Sequence, residues 1–364
     1  MVNQIFNPFS SSFNILKIKY KDYDESLTSK KFLEPIDKIN VFINLETVFK
    51  HLTMIQELEK KLVLQRDFET ILISNILNLA AHYKRFFISN GLDTKVYLYH
   101  TDFDSTEFNQ CKYNEDYRMY YLCKYNNNPK FVYLTDALKA TVLPEVKIYC
   151  EFIPNLYYIS AKNIEGSLVP LVIAENDPTR KNLIIGGEFY DTQYSFMKNF
   201  VNHFIHKGIG MYTITSSVPE YLKELTKKSD DEINNLINDY NYYGTYCSLI
   251  SVLGDRNRSI DGLSGIGPVT LQKYIQDGIQ RHEINHQTDN GEMLSDIFHD
   301  KELKNEFLIN YYCTSLMSMF SELNESEKIS LINQKQDRND MNSLMSLNKT
   351  KFADYPLILE ALSL

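Results

Sequence analysis

The residues of this chain best suited to chemistry lie in one run, Gly254-Asp255-Arg256-Asn257-Arg258-Ser259-Ile260-Asp261-Gly262-Leu263-Ser264-Gly265-Ile266-Gly267-Pro268. Asp255 offers the oxygen donors that a hard divalent cation takes. Gly265 and Gly267 let a backbone approach a phosphate, and N–H groups at the start of a following helix would donate to it. Pro268 suits the first turn of that helix. Such a hairpin gathers Arg256, Arg258 and Lys273, which are the candidates for phosphate contact. The same glycine pair also fits a tight turn between two packed helices. Its place directly after Gly254-Asp255 favours the ligand-binding reading.

A second motif competes. His282-Glu283-Ile284-Asn285-His286 has the spacing that puts two histidines on one helix face for zinc, with Glu283 as base and Glu292 or His299 as third ligand. The segment is polar throughout, and Gln287-Thr288-Asp289-Asn290-Gly291 follows as a loop, which argues against a half-buried zinc helix. His203 and His206 are expected on another helix, capping a surface. Lys223, Lys227 and Lys228 precede the hairpin, but Asp230-Asp231-Glu232 offset them, so a solvated helix face is expected. Tyr240, Tyr242, Tyr243 and Tyr246 have faces for stacking on bases or for packing beneath the hairpin.

Composition sets the bounds. The chain has 364 residues, enough for one large or two modest domains with a real core. Five scattered cysteines without metal spacing read as reduced thiols in a cytosol. No apolar run is long enough for a bilayer, and Met1-Val2-Asn3-Gln4 does not open a signal peptide, so no membrane partner and a cytoplasmic location are expected. A net charge of −9 means that any basic face for nucleic acid must be local. The Asn, Lys, Ile and Tyr bias with no Trp fits an AT-rich genome such as that of a virus, in which case the location is the host cytoplasm.

The elements that must carry these residues follow from periodicity. Ile39–Ile43, Lys95–Tyr99, Lys147–Tyr149, Leu156–Ile159 and Lys181–Ile185 read as strands. Leu52–Phe87 and Gly166–Glu175 read as helices. This alternation predicts a parallel α/β sheet, with ligands at the carboxyl ends of its strands. After about residue 195 the pattern reads as almost wholly helical, Leu303–Phe320 as one apolar helix, and Gln334–Asn342 as a solvated linker. The expected division is an extension at 1–39, an α/β domain at 40–245, a hairpin region at 246–300 and a helical segment at 301–364.

The hairpin resembles that of the flap endonuclease and 5′-3′ exonuclease family. That family carries Gly-Asp-x-x-Asp-Asn-Ile-Pro-Gly and then Gly-Ile-Gly-Pro. This chain has Gly-Asp-Arg-Asn-Arg-Ser-Ile-Asp-Gly and then Gly-Ile-Gly-Pro in the same register. Upstream, Val41-Phe42-Ile43-Asn44-Leu45-Glu46 resembles a first strand that usually ends on Asp, and Tyr113–Arg118 a Tyr-Lys-x-x-Arg segment. Ile164-Glu165-Gly166-Ser167-Leu168 resembles a Glu-Ala-Asp-Asp helix start, and Ile184–Gln193 a strand end reading Gly-Asp-x-Asp-x-x-Gln. The likeness spans roughly residues 40–280. It implies a PIN-like α/β fold with a helix–hairpin–helix subdomain and a helical C-terminal tail.

The resemblance also implies a two-metal site, with ions about 4 Å apart held by a dense set of carboxylates. At the matched positions, Asn44, Ser167, Leu168, Tyr190 and Arg258 are not acidic. Asp102 (with Asp104 competing), Glu165, Glu188 and Asp255 are. Glu46 and Asp191 lie off register. A guanidinium ~4 Å from a dication repels it by about 8 kcal/mol at an effective dielectric of ~20, and Arg258 could instead pair with Asp255. The expectation is a retained fold with a dismantled metal centre, holding no ion or one weakly bound Mg²⁺ at Glu165, Glu188 and Asp255. Such a chain would bind nucleic acid, DNA rather than RNA, through Gly265, Gly267, Arg256, Arg258 and Lys273, or join a protein assembly. An active Mg²⁺-dependent nuclease that recruits Glu46 and Asp191, and a purely structural protein, are the alternatives.

Overall fold

The computed structural model describes residues 17–20, 37–49, 65–102, 129–186, 189–194, 197, 199–208, 211–215, 247, 250–255, 260–267 and 301–334. Strands β1 (Lys17–Tyr20), β2 (Lys38–Asn44), β3 (Asp93–Asp102), β4 (Leu156–Lys162), β5 (Lys181–Gly186), β6 (Phe200–Gly208) and β7 (Met211–Thr215) form a single sheet in the order β1-β7-β6-β5-β2-β3-β4. The five strands from β6 to β4 are mutually parallel, as in Ile43↔Leu98 and Ile43↔Ile185. Only the β6–β7 pair is antiparallel. The expected α/β architecture, a parallel sheet flanked by helices, is the one observed.

Both faces are covered because the strands alternate their apolar side chains between two layers. Val41, Ile43, Leu183 and Ile185 face a cluster with Leu72, Ile76, Ala80 and Tyr83 of α1 (Gln65–Ser89) and Val142, Val146 and Cys150 of α2 (Pro129–Phe152). Phe42, Tyr99 and Ile184 face the other cluster. There they meet Val169 and Val172 of α3 (Val169–Asn176), Leu316 and Met319 of α6 (Leu316–Ser321) and Leu331 of α7 (Glu325–Ile332). Across that second face Tyr97 stacks between Phe42 and Tyr157, with ring centroids 5.0 and 4.9 Å away. Each fully buried side chain of this kind contributes about 1.5–3 kcal/mol relative to exposure.

The amino ends of the central strands are tied by Arg180. Its buried guanidinium donates to the carboxylates of Asp93 and Asp177 and to the carbonyls of Ile39 and Asp93. The opposite, carboxyl ends of these strands frame the site.

Several expectations need correction. Lys147–Tyr149 is helical, not a strand: buried Val142, Val146, Tyr149, Cys150 and Ile153 recur at helical spacing and form one stripe. Residues 200–208 and 211–215 are strands, so the chain does not turn helical at 195. His203 and His206 therefore lie on β6. Phe200 and Val201 pack on the two opposite core layers, and pairing with β5 selects the strand. Residues 1–39 supply an edge strand, β1, alongside β7. The Leu303–Phe320 run is two helices, α5 (Lys301–Thr314) and α6, because the Ser315 side chain accepts the Ser318 N–H and starts a new helix. The helix expected from Leu52 is described only from Gln65.

Candidate functional site

The strand order reverses at β2. From β2 the chain runs outward through β3 and β4, then crosses back to place β5 on the other side of β2. A doubly wound sheet opens a crevice at such a switch point, beyond the carboxyl ends of the two diverging strands. Here those ends are Asn44 of β2 and Gly186 of β5.

Asp191 fills this crevice. It sits on the short helix α4 (Phe189–Gln193) just after β5, has no exposed surface, and folds back over Gly186. A Cβ at Gly186 would lie 2.2 Å from its Oδ2, so only glycine leaves room for it. Side chains of β2, β3 and the turn after β2 donate to the carboxylate. Asn44 Nδ2 lies 3.2 Å from both oxygens, the Tyr99 hydroxyl 3.2 Å from Oδ1 and the Thr47 hydroxyl 3.4 Å from Oδ2. Asn202 Nδ2 donates to the Asp191 carbonyl.

The orientation of the Asn44 amide is fixed by its other end. Asn44 Oδ1 accepts the backbone N–H groups of Glu46 (3.0 Å) and Thr47 (3.4 Å), capping the helical turn at 45–49. The NH₂ group must then face Asp191. Asn44 presents hydrogens to the crevice, not lone pairs, and cannot ligate a cation on that side.

Glu165 is the second buried carboxylate. Its Oε1 accepts the Ser167 N–H and caps the 3₁₀ turn Gly166–Leu168. Gly166 is pressed against β3, where a Cβ would meet Thr101 N at 2.8 Å. Burial raises the Tyr99 and Tyr194 hydroxyls well above the usual tyrosine range, and the negative charges of Asp191 and Glu165 add to the rise. Both phenols therefore remain protonated donors, Tyr99 to Asp191 and Tyr194 to the Ser167 carbonyl.

The remaining sequence-predicted positions divide clearly. Leu168 and Tyr190 are built into the apolar cluster beneath the crevice, and Ser167 is buried beside them. Glu46 is half-buried and accepts the Thr101 N–H at 3.3 Å, so it borders the site. Asp102 does not join the group around Asp191. It ends β3 in a separate cleft of about 350 Å³ with Lys147, Glu151, Tyr158 and Lys162, and accepts the Ser160 hydroxyl. Glu188, Asp104, Arg256, Arg258, Lys273, the His282–His286 motif, the lysines at 223–228 and the tyrosines at 240–246 lie outside the described residues. Among the described residues no three His, Cys, Asp or Glu side chains are arranged to hold a metal ion.

The glycine run is described from Gly254 to Gly267, apart from residues 256–259. Gly254–Asp255 (β8) pairs antiparallel with Ile260–Asp261 (β9). The Leu263 N–H returns to the Val252 carbonyl at 2.8 Å, and Gly262 lies so close to Leu253 that a Cβ would meet its carbonyl oxygen at 2.5 Å. Gly265 has φ +78° and, like Gly267, is exposed. Leu263 and Ile266 pack on Leu303, Phe307 and Tyr311 of α5.

Sequence reading missed Tyr99, Thr47 and Tyr194 as partners of the crevice. Tyr99 lies on the same face of β3 as Tyr97, a period-two signal, but only the fold brings it to Asp191.

No protein-family model matches the chain, and no curated protein matches it. Among solved structures it is similar to the 5′-exonuclease of bacteriophage T5 with bound zinc ions, at 12% identity and a TM-score of 0.47, covering 89% of this chain and 99% of that one. It is also similar to the bacteriophage T5 flap endonuclease in a complex with DNA and metal ions, at 16% identity and a TM-score of 0.43, covering 89% of this chain and 100% of that one. No helix among the described residues is long and apolar enough to cross a membrane.

Proposed function

We propose that this chain is a catalytically impaired relative of the 5′-3′ exonucleases and flap endonucleases, with a PIN-like sheet and a helix–hairpin–helix subdomain. It binds nucleic acid, DNA in preference to RNA, through the hairpin around Gly265 and Gly267, alone or as a non-catalytic subunit of a larger assembly. The observation that carries this reading is the Asn44–Asp191 contact. Where a two-metal nuclease needs oxygen lone pairs, an amide turns its hydrogens inward toward the buried Asp191 carboxylate. Leu168 and Tyr190, placed in the apolar core, support the same reading. A resident ion, if bound, is a single weakly held Mg²⁺ at Glu165, Glu188 and Asp255. On this reading residues 1–39 are an extension that reaches the sheet edge, 40–245 the α/β domain, 246–300 the hairpin region and 301–364 a helical segment.

Support for nucleic-acid binding comes from the exposed Gly265–Gly267 backbone beside Arg256, Arg258 and Lys273 in sequence. The test is affinity for flap and duplex DNA measured across salt. The account expects affinity to fall steeply between about 50 and about 200 mM salt. Arg256→Glu or Lys273→Glu should weaken binding by roughly tenfold, or ~1.4 kcal/mol. Salt-independent binding, or binding indifferent to both reversals, contradicts it.

A further inference from the structure

Gln193 closes α4, two residues beyond Asp191, and has no exposed surface. Its side-chain amide joins three segments that are far apart in sequence. Oε1 accepts the Leu316 N–H at 3.0 Å and the Cys247 thiol at 3.4 Å, while Nε2 donates to the Thr314 carbonyl at 2.6 Å. Because Oε1 takes a backbone N–H, the amide has only one orientation in which all three contacts form.

These contacts continue to the hairpin. Ser251 Oγ donates to the Cys247 carbonyl at 2.6 Å and lies 2.8 Å from the Thr314 hydroxyl, and Asn310 Nδ2 donates to the Ser251 carbonyl at 3.0 Å. Ser251 immediately precedes Val252, whose carbonyl anchors the Leu263 N–H. On the far side Leu263 and Ile266 rest on Leu303, Phe307 and Tyr311 of the same helix that carries Asn310 and Thr314. A buried polar chain thus runs from the crevice through the α5–α6 junction to the glycine turn.

We infer that Gln193 is a positioning residue and that α5 is a strut. Together they set where the glycine hairpin stands relative to the switch-point crevice, and through it the affinity for nucleic acid. The affinity part rests on the proposed function of the hairpin; the mechanical part does not. A buried amide satisfied on both ends is costly to disturb, and its loss frees the elements it joins before it frees the sheet.

The experiment uses the full chain as wild type, Gln193→Leu and Thr314→Val, the last being isosteric and a safeguard if Gln193→Leu does not fold. Amide hydrogen exchange is followed in peptides covering 250–267 and, as a reference, 39–44 and 181–186, alongside affinity for a flap DNA. The expected result for each variant is exchange in 250–267 faster by about tenfold or more, with the two strand peptides unchanged. DNA affinity should fall in the same order. Unchanged hairpin exchange overturns the inference, as does equal acceleration of hairpin and strands, which marks ordinary destabilisation. If wild type does not bind DNA while hairpin exchange still responds, the strut stands and the nucleic-acid reading fails.

Discussion

The buried Asp191 carboxylate accepts hydrogen bonds from an amide and two hydroxyls, and its backbone carbonyl accepts one from a second amide. This works only while every donor keeps its place. Asn44→Asp would set two carboxylates about 3 Å apart in a buried crevice, and we expect a loss of about 2–4 kcal/mol in urea unfolding with EDTA present. Gly186→Ala would drive a methyl group into the Asp191 carboxylate, and a loss of about 2–4 kcal/mol is expected, together with displacement of α4. Stabilities within ~0.5 kcal/mol of wild type would show that Asp191 can leave the crevice freely. The sequence marked Asn44 as non-acidic and set Asp191 aside as off register. It could not show that the two side chains bond to one another, because 147 residues separate them and the contact exists only once β5 lies beside β2.

Among the elements, legibility followed burial on both faces. β2, β3 and β5 are continuous apolar runs of the kind a parallel sheet requires, and their positions were readable. β6 was not, because Asn202, His203, His206 and Lys207 interrupt its apolar pattern in the sequence, and only pairing with β5 settles it. The stretch at Lys147–Tyr149 read as a strand because a run of three residues has no period of its own; the 24-residue helix around it decides the matter. The division of α5 from α6 was concealed by one serine. Ser315→Ala removes the side chain that accepts the Ser318 N–H, and a loss of about 1 kcal/mol is expected. Asn324→Ala, which breaks the capping box with Glu327 at the start of α7, should cost a similar ~1 kcal/mol. A change under ~0.3 kcal/mol at either site in denaturant unfolding would contradict these cap assignments.

For the molecule as a whole, stability depends on pH through a histidine packed against one face of the sheet. On the α1 face burial, reinforced by the charge of Arg85, lowers His82 from 6.5 to about 4. The unfolded chain therefore takes up a proton below about pH 6.5 that the fold refuses until near pH 4, so the fold loses stability as pH falls through that window. The loss should approach about 3 kcal/mol by pH 4, measured as a falling urea midpoint, and His82→Gln should flatten that part of the curve. A wild-type midpoint independent of pH there would place His82 in water. On the opposite face α3, α6 and α7 are packed into one cluster, so the C-terminal helices complete the layer that supports the crevice.

The most direct test is one reaction containing a 5′-labelled flap DNA, the full chain and Mg²⁺ or Mn²⁺, in which complex formation and strand scission are followed together. The account predicts a salt-sensitive complex and an intact strand in either metal. Scission that requires the metal and disappears in Asp191→Asn or Asp255→Ala would contradict it, because those carboxylates would then be holding the ions that the Asn44 amide is argued to have displaced.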